Sequence, residues 1–365
     1  VLINAFLGIR NAEPIRSIPN SALSEATDVD ISDEGAITRR NGYTLSLSAT
    51  NTTAYSTLDQ EAYIVTGGVL NKLLPDLSLV PITASTAKNF CDFGGVLFTN
   101  DGHKVEDGIA TDLKIQAPNY APQLSVIQGP MPAGVYSAMY CFRAASGLES
   151  GSSPVGSIEL LTEGGVQIAP IQAPVGYTAI IYLTDANGTV YYDASGIQLA
   201  PVQVLANSFP ENTEKVAFYA GKLWCSQSLD NGSSVIFFSS AFHYHLFDYV
   251  KDYIIVPGKV EDMVGTPQGL VIGTDAALYS YSDTLLLLAG YGVVPGRSMV
   301  RVPDGSVLVW TKRGVCTAPL FSNLTEKKAS FPAGAQCSTA VVNQDGLIKF
   351  LALSDGSGKA FNARY

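Results

Sequence analysis

The chain has 365 residues, 47% hydrophobic and 15% charged, with 34 glycines and 19 prolines: ample apolar content for a buried core and ample glycine for tight turns. Its formal charge of −10 excludes general attraction to nucleic acid. No basic cluster exceeds a pair (Arg39-Arg40, Lys312-Arg313 and Lys327-Lys328), which argues against sequence-specific DNA binding.

Residues 1–27 carry Pro14 and Pro19 and read as an extended lead-in rather than a helix. Val1-Leu2-Ile3 is apolar but has no basic stretch before it and no small-residue cleavage site nearby, so no signal peptide is expected. From residue 29 onward one phrase recurs: an alternating apolar strand, a Gly- or Asp-Gly-type turn, and a second alternating strand. It occupies 29–38, 63–73, 96–105, 223–238, 270–281, 307–317 and 347–361. Hairpins spaced by roughly 35–45 residues mark a radially repeated sheet, most simply a β-propeller. Gly67-Gly68, Asn100-Asp101-Gly102 and Asp107-Gly108 supply the φ > 0 positions that such hairpins need.

Between 119 and 212 this spacing breaks. Asn119-Tyr120-Ala121-Pro122 and Gly129-Pro130-Met131-Pro132 form a Pro/Gly-rich approach. Predicted short strands follow at 134–144, 156–161, 166–170, 177–184 and 189–194, with a hairpin turn at 185–188. The expected organisation is a propeller with an inserted immunoglobulin- or fibronectin-like β-sandwich. Residues 1–118 give an N-terminal arm and the first part of the propeller, 119–212 the insert, and 213–365 the second part. Blade-like pieces resume at 215–225, 235–238, 264–281, 299–311 and 340–353. The leucines at 285–288 read as the start of a short helix or as a buried strand, and the apolar run 285–294 is too short to cross a bilayer. Without the insert about 275 residues remain, enough for six or seven blades of about 40. The N-terminal stretch is expected to complete the last blade, closing the ring and removing free sheet edges.

The five cysteines (Cys91, Cys141, Cys225, Cys316, Cys337) are scattered without a CxxC pair and read as buried thiols, implying assembly in a cytoplasm. His243 and His245 would share one face of a strand, and with Asp248 or Asp252 could hold a metal; an aromatic-rich strand without one is the blander reading. Ser228 to Val235 approaches the Asp-box turn of sialidase-like propellers, with Val235 at the aromatic position. That turn stabilises structure and is not catalytic. A glycosidase needs two carboxylates facing across a cleft. Asp33, Asp101, Asp185, Asp304 and Asp345 instead sit in turns, where they cap backbone. His103 sits beside Gly102 in a hairpin turn and is expected to face solvent. There is no Gly-x-Ser-x-Gly, P-loop or calcium-loop pattern, and the sequons at Asn187, Asn231 and Asn323 read as turns. The tyrosines at 182, 191, 192, 219, 244, 249, 253, 279, 281 and 291 fit a carbohydrate platform, cross-strand packing or a subunit interface. The sequence therefore nominates no catalytic, cofactor-binding or metal-ligating residue, and no enzyme activity is expected.

Three segments resemble structural tail proteins of tailed bacteriophages. Residues 26–43 contain Asp28-Val29-Asp30, Gly35 and Arg39-Arg40-Asn41-Gly42-Tyr43, similar to the opening phrase of that family, with Thr27 in place of its usual Asn. Residues 134–144, the loop Gly147 to Pro154, and the strands at 177–183 and 188–193 resemble its fibronectin-like insert, with Leu183 where Arg is common. Residues 220–240 and 269–279 resemble blades of tail nozzle or hub proteins. The resemblance implies a virion protein that forms a homo-oligomeric ring, expected to be hexameric, and is assembled in the host cytoplasm. Its implied partners are the portal or adaptor, other tail proteins and tail fibres, with DNA passing through a channel that the ring lines or closes. No cofactor, membrane span or catalytic residue comes with it. Negative charge toward that channel would keep DNA from adsorbing. The alternative is a receptor- or carbohydrate-binding propeller module of the virion, and behind it a glycan-active enzyme.

Overall fold

The computed structural model describes residues 53–326 continuously, with 9–12, 14–25, 29–31, 36–39, 336–344, 347–354 and 357–362. The protein is all-β: apart from the 3-10 turns Ile15–Ser17 and Pro201–Gln203, every regular element among these residues is a strand. Outside the insert region the described residues from 53 onward build six small sheets.

Sheet 1 comprises Thr53–Ser56, Ala62–Thr66, Val69–Leu73 and Leu79–Ala84; sheet 2 comprises Phe90–Phe93, Val96–Thr99, His103–Glu106 and Ile109–Asp112. Sheet 3 runs Lys215–Tyr219, Lys222–Ser228 and Ser234–Ser240, whose far edge pairs with both His243–Phe247 and Tyr253–Val256. Sheet 4 comprises Val260–Thr266, Gly269–Thr274, Leu278–Tyr281 and Leu285–Ala289; sheet 5 comprises Met299–Arg301, Val307–Thr311, Gly314–Ala318 and Ser322–Asn323. In sheet 6, Cys337–Gln344, Leu347–Ser354 and Ser357–Asn362 are antiparallel neighbours, and Gly296–Arg297 adds a parallel strand beside the first.

The hairpin repeated in the sequence is the second and third strand of sheets 1 to 5 and the last two strands of sheet 6. Gly67-Gly68, both left-handed (φ 59° and 77°), closes the sheet 1 hairpin with the backbone twist that two-residue turns require. The hairpin of residues 29–39 differs: Val29–Ile31 and Ile37–Arg39 form a two-stranded sheet of their own. Among the described residues the N-terminal stretch does not join the last sheet as expected: Val29–Ile31 and Ile37–Arg39 pair with each other, and the fourth strand of that sheet is Gly296–Arg297, on the edge beside Cys337–Gln344. A two-residue strand carries no periodicity to announce it.

Each sheet is joined to the next by its own apolar cluster. Tyr63, Leu70, Phe90 and Leu97 join sheets 1 and 2; Phe98, Val216, Phe218 and Leu223 join 2 and 3. Trp224, Ile236, Met263 and Ile272 join 3 and 4; Val271, Leu278, Met299 and Val309 join 4 and 5; Leu308, Trp310, Cys337 and Phe350 join 5 and 6. Strands gripped from both sides lose their polar face. Val307–Thr311 and Gly269–Thr274 are accordingly buried at every position. The sixth sheet returns to the first, because the Arg297 guanidinium lies 4.6 Å over the Tyr55 ring. Tyr55 also donates its hydroxyl to Asp92 and packs on Phe90, reaching into sheet 2.

The first strands of sheets 2 to 6 run side by side in order. Gly265 sits where two of them meet: a Cβ there would lie 1.9 Å from the Phe218 carbonyl oxygen. Asp262 ties sheet 4 to sheet 5 by accepting the Met263 and Met299 amides at 3.0 and 2.8 Å. Burial pushes its carboxyl pKa up, opposed by the nearby Lys215 and by those amides.

The insert region holds two sheets. Gly156–Leu160, Gly134–Ala144, Tyr177–Thr184 and Tyr191–Tyr192 form a four-stranded one, and Leu124–Met131 pairs with Gly164–Ile168 in a two-stranded one. The strand Leu124–Met131 runs through the Gly/Pro stretch that the sequence marks as irregular. Its register breaks between Ile127 and Met131, and such a bulge accommodates Pro130, which has no ladder donor.

The loop Gly147 to Pro154 explains its own composition. Gly156–Leu160 pairs with Gly134–Ala144 only as far as Ala138, leaving the rest of that edge open. Ser150 and Ser153 cover it. Their hydroxyls accept the Phe142 and Tyr140 amides at 2.9 and 3.1 Å, and their own amides donate back to the same residues' carbonyls. Ser152 fastens the returning chain, donating to Gln203 O and accepting from Leu205 N.

Candidate functional site

The residues weighed for chemistry are mostly committed to the fold. His243 and His245 lie on the same strand with ring centroids 6.5 Å apart, but each donates to a backbone carbonyl: Nδ1 of His243 to Ala241 at 3.0 Å, Nε2 of His245 to Glu149 at 2.9 Å. Burial pushes the His245 pKa down to about 4, holding the ring neutral. Asp248 caps its own turn through the Val250 and Lys251 amides, and burial raises the Asp252 pKa. Among the described residues no three His, Cys, Asp or Glu side chains are grouped to hold a metal ion.

In the Asp-box-like turn, Asn231 accepts the Ser233 amide at 3.0 Å and caps the turn. Asp101 accepts from Ser85, Thr99 and the Thr86 amide, bonds that hold its carboxyl below the usual range although burial opposes them. Asp304 caps Ser306. Asp185 marks a turn closed by Gly188 N donating to its carbonyl; Asp33 and Asp345 lie outside the described residues. His103 is half-buried rather than solvent-facing, because its strand begins at that residue and its amide is tied to Thr99 Oγ1. All five cysteines are free thiols. Most of the tyrosines pack: Tyr244 against Phe98 and Phe218, Tyr219 against Trp224, and Tyr291 under Arg313.

Sequence reasoning missed Glu149, the hub of the insert's docking. Its carboxylate accepts Arg143 Nε at 2.7 Å, the Tyr182 hydroxyl at 2.7 Å and Gln203 Nε2 at 3.2 Å, while its carbonyl receives His245 of sheet 3. The second tie between insert and sheet 3 is a backbone bridge in which Asn207 and Phe247 exchange both hydrogen bonds.

The feature with functional content is the outer edge. The fourth strand of a sheet presents unpaired backbone, and soluble proteins usually blunt such edges with charge, proline or a covering element. Here they carry aliphatic groups in the open. Ile109 on sheet 2 is 70% exposed, Ile255 on sheet 3 is 56%, and Leu286 and Leu287 on sheet 4 are 61% and 56%. The leucine run expected as a helix or buried strand is thus an edge strand with two leucines in solvent. Its periodicity is uninformative because all its residues are apolar.

No known family's sequence profile matches the chain, and no curated protein matches it. Among solved structures, the extracellular domain of the hybrid two-component system BT3049 from B. thetaiotaomicron is 14% identical with a TM-score of 0.31. The match covers 87% of this chain and 40% of that one, so the chain spans well under half of that structure. BBS1N, solved in complex with ARL6DN, is 10% identical with a TM-score of 0.34, covering 86% of this chain and 91% of that one. The extracellular domain of BT4673 from B. thetaiotaomicron is 14% identical with a TM-score of 0.27, covering 90% and 56%. Likeness at this level carries no argument about function.

Proposed function

We propose that this chain is a structural subunit of a bacteriophage tail, a ring-forming nozzle or hub component built on a six-bladed β-propeller with a sandwich-like insert at 119–212. Six consecutive sheets joined by five apolar clusters, with Arg297 bringing the sixth against the first, support the propeller reading. The loop Gly147 to Pro154, whose serines stitch the insert's open edge, supports the resemblance in the part of the chain where that resemblance is most detailed.

The observation that carries the assembly reading is the aliphatic outer edge at Ile109, Ile255, Leu286 and Leu287. Burying exposed leucines against a neighbour is worth about 1.5–3 kcal/mol each, enough for a few such contacts per subunit to hold a ring. In that ring the −10 charge of each subunit would repel DNA phosphates and let the duplex pass.

Native mass spectrometry and electron microscopy of the purified chain test this. Ring-shaped oligomers are expected, and the double variant Leu286→Glu/Leu287→Glu should be monomeric with an unchanged circular dichroism spectrum. A wild-type chain that stays monomeric at its solubility limit would refute the reading, as would rings that form equally well in the variant.

A further inference from the structure

A cleft of about 410 Å³ lies where the segment leaving sheet 2, the segment leaving the insert, and sheet 3 converge. That volume falls within the ~300–1,000 Å³ typical of small-ligand sites. Its chemistry is uniform. Five of its ten lining residues are amides: Gln116 and Asn119 from the first segment, Asn207 and Asn212 from the second, and Gln227 from sheet 3. Phe237 and Tyr249 form its aromatic wall, with ring centroids 4.8 Å apart. One formal charge lines it, Glu211.

The walls are fixed by bonds that engage two of the amides, Asn207 Oδ1 accepting the Tyr249 amide at 3.4 Å and Gln227 Nε2 donating to the Glu211 carbonyl, and leave Asn119 and Asn212 available. Asn207 is clamped through its backbone to Phe247, at 2.7 and 2.9 Å, so its side chain is presented from a rigid bridge. The Tyr249 hydroxyl donates to the Ser208 carbonyl at 2.7 Å, which anchors the ring at a 45° tilt to Phe237. Gln227 donates to the Glu211 carbonyl and holds the 211–212 turn in place. Asn212 is held at φ 57°, a conformation that Asn tolerates better than most residues. Asn119 and Asn212 are exposed, and their side chains make no hydrogen bond within the described residues.

We propose that this cleft binds a neutral saccharide. An amide offers a donor and an acceptor side by side, which matches adjacent ring hydroxyls, and an aromatic face takes the C–H face of a pyranose. No Lys or Arg lines the cleft to hold a phosphate or sulfate, and a single carboxylate with no imidazole or thiol is a poor cation site. Fixed walls lower the ordering cost of binding. The inference stands apart from the assembly reading. Sugar binding is read on the chain itself, and Leu286→Glu/Leu287→Glu should leave it unchanged.

Saturation-transfer NMR and calorimetry with N-acetylglucosamine, galactose, maltose and lactose test it, with glucose 6-phosphate as the anionic counterpart. Saturation transfer to at least one neutral sugar is expected, with weaker transfer to the phosphate. The variant Asn119→Ala/Asn212→Gly removes two amides that support nothing in the fold and keeps the backbone at 212 permissive. It should bind that sugar at least ~10-fold more weakly with an unchanged circular dichroism spectrum. Absence of transfer to all four sugars, equal binding by the folded variant, or preference for glucose 6-phosphate would each overturn the proposal.

Discussion

Gly265→Ala should be among the most damaging conservative substitutions in this chain. The new methyl would sit 1.9 Å from the Phe218 carbonyl oxygen, 2.9 Å from its carbon and 3.2 Å from the Tyr219 Cβ. Two of these are backbone atoms, so no rotamer change relieves the clash; the first strands of sheets 3 and 4 must separate by about 1.5 Å to restore ordinary contact. That movement opens the cluster around Trp224, Met263 and Ile272 and disturbs the Gly265 carbonyl that accepts from Arg301. The cost belongs at the upper end of the ~1–3 kcal/mol range for overpacking, lowering Tm by about 5 °C in a chain of this length. Thermal and urea unfolding followed by tryptophan fluorescence reports directly, because Trp224 lies in the affected cluster. The comparison is Gly290→Ala, an open position with nothing within 4 Å, expected to stay within about 0.5 kcal/mol of wild type. If the two variants unfold together, the tight approach of the inner strands is wrong.

Three further outcomes follow from side chains already described. The folded state keeps His245 neutral, with its pKa near 4, while the unfolded chain takes up that proton near 6.5, so the stability this group contributes is complete above about pH 6.5. It is lost as pH falls toward 4, by roughly 3 kcal/mol; His245→Gln, measured by urea unfolding at pH 4 to 7, should flatten that part of the profile. Glu149→Ala leaves Arg143, Tyr182 and Gln203 without their common acceptor and should cost about 2–3 kcal/mol, with faster limited proteolysis at 194–206. Burial pushes the thiol pKa values of Cys141 and Cys337 up to about 12. Their thiolate fraction at pH 8 is then about a thousandfold below that of an ordinary thiol, so iodoacetamide should label them only in denaturant, as read by mass spectrometry.

Much of the architecture is legible in the sequence because period-two alternation and paired turn residues are local signals. Each of the repeated hairpins is a hairpin in the structure, and the change of rhythm at 119–212 coincides with two separate sheets. Other elements lacked such a signal. Gly129 and Pro130 look like punctuation, yet they sit inside a bulged strand. The leucines at 285–288 carry no alternation to reveal which of them face out. Glu149 could be noticed within its serine-rich loop, but its docking depends on His245, 96 positions away. The amide-lined cleft is likewise assembled from three distant segments, none of which carries a motif.

The strand Gly296–Arg297 leaves sheet 4, lies down beside Cys337–Gln344, and only then does the chain turn back to make sheet 5. A piece of chain made earlier thus waits for a partner made later, with a whole sheet in between. The last sheet is therefore latched from behind and cannot peel away singly as a terminal repeat would. Its release would also disturb Arg297, whose guanidinium lies over Tyr55 of the first sheet, so loosening at one end of this architecture is felt at the other.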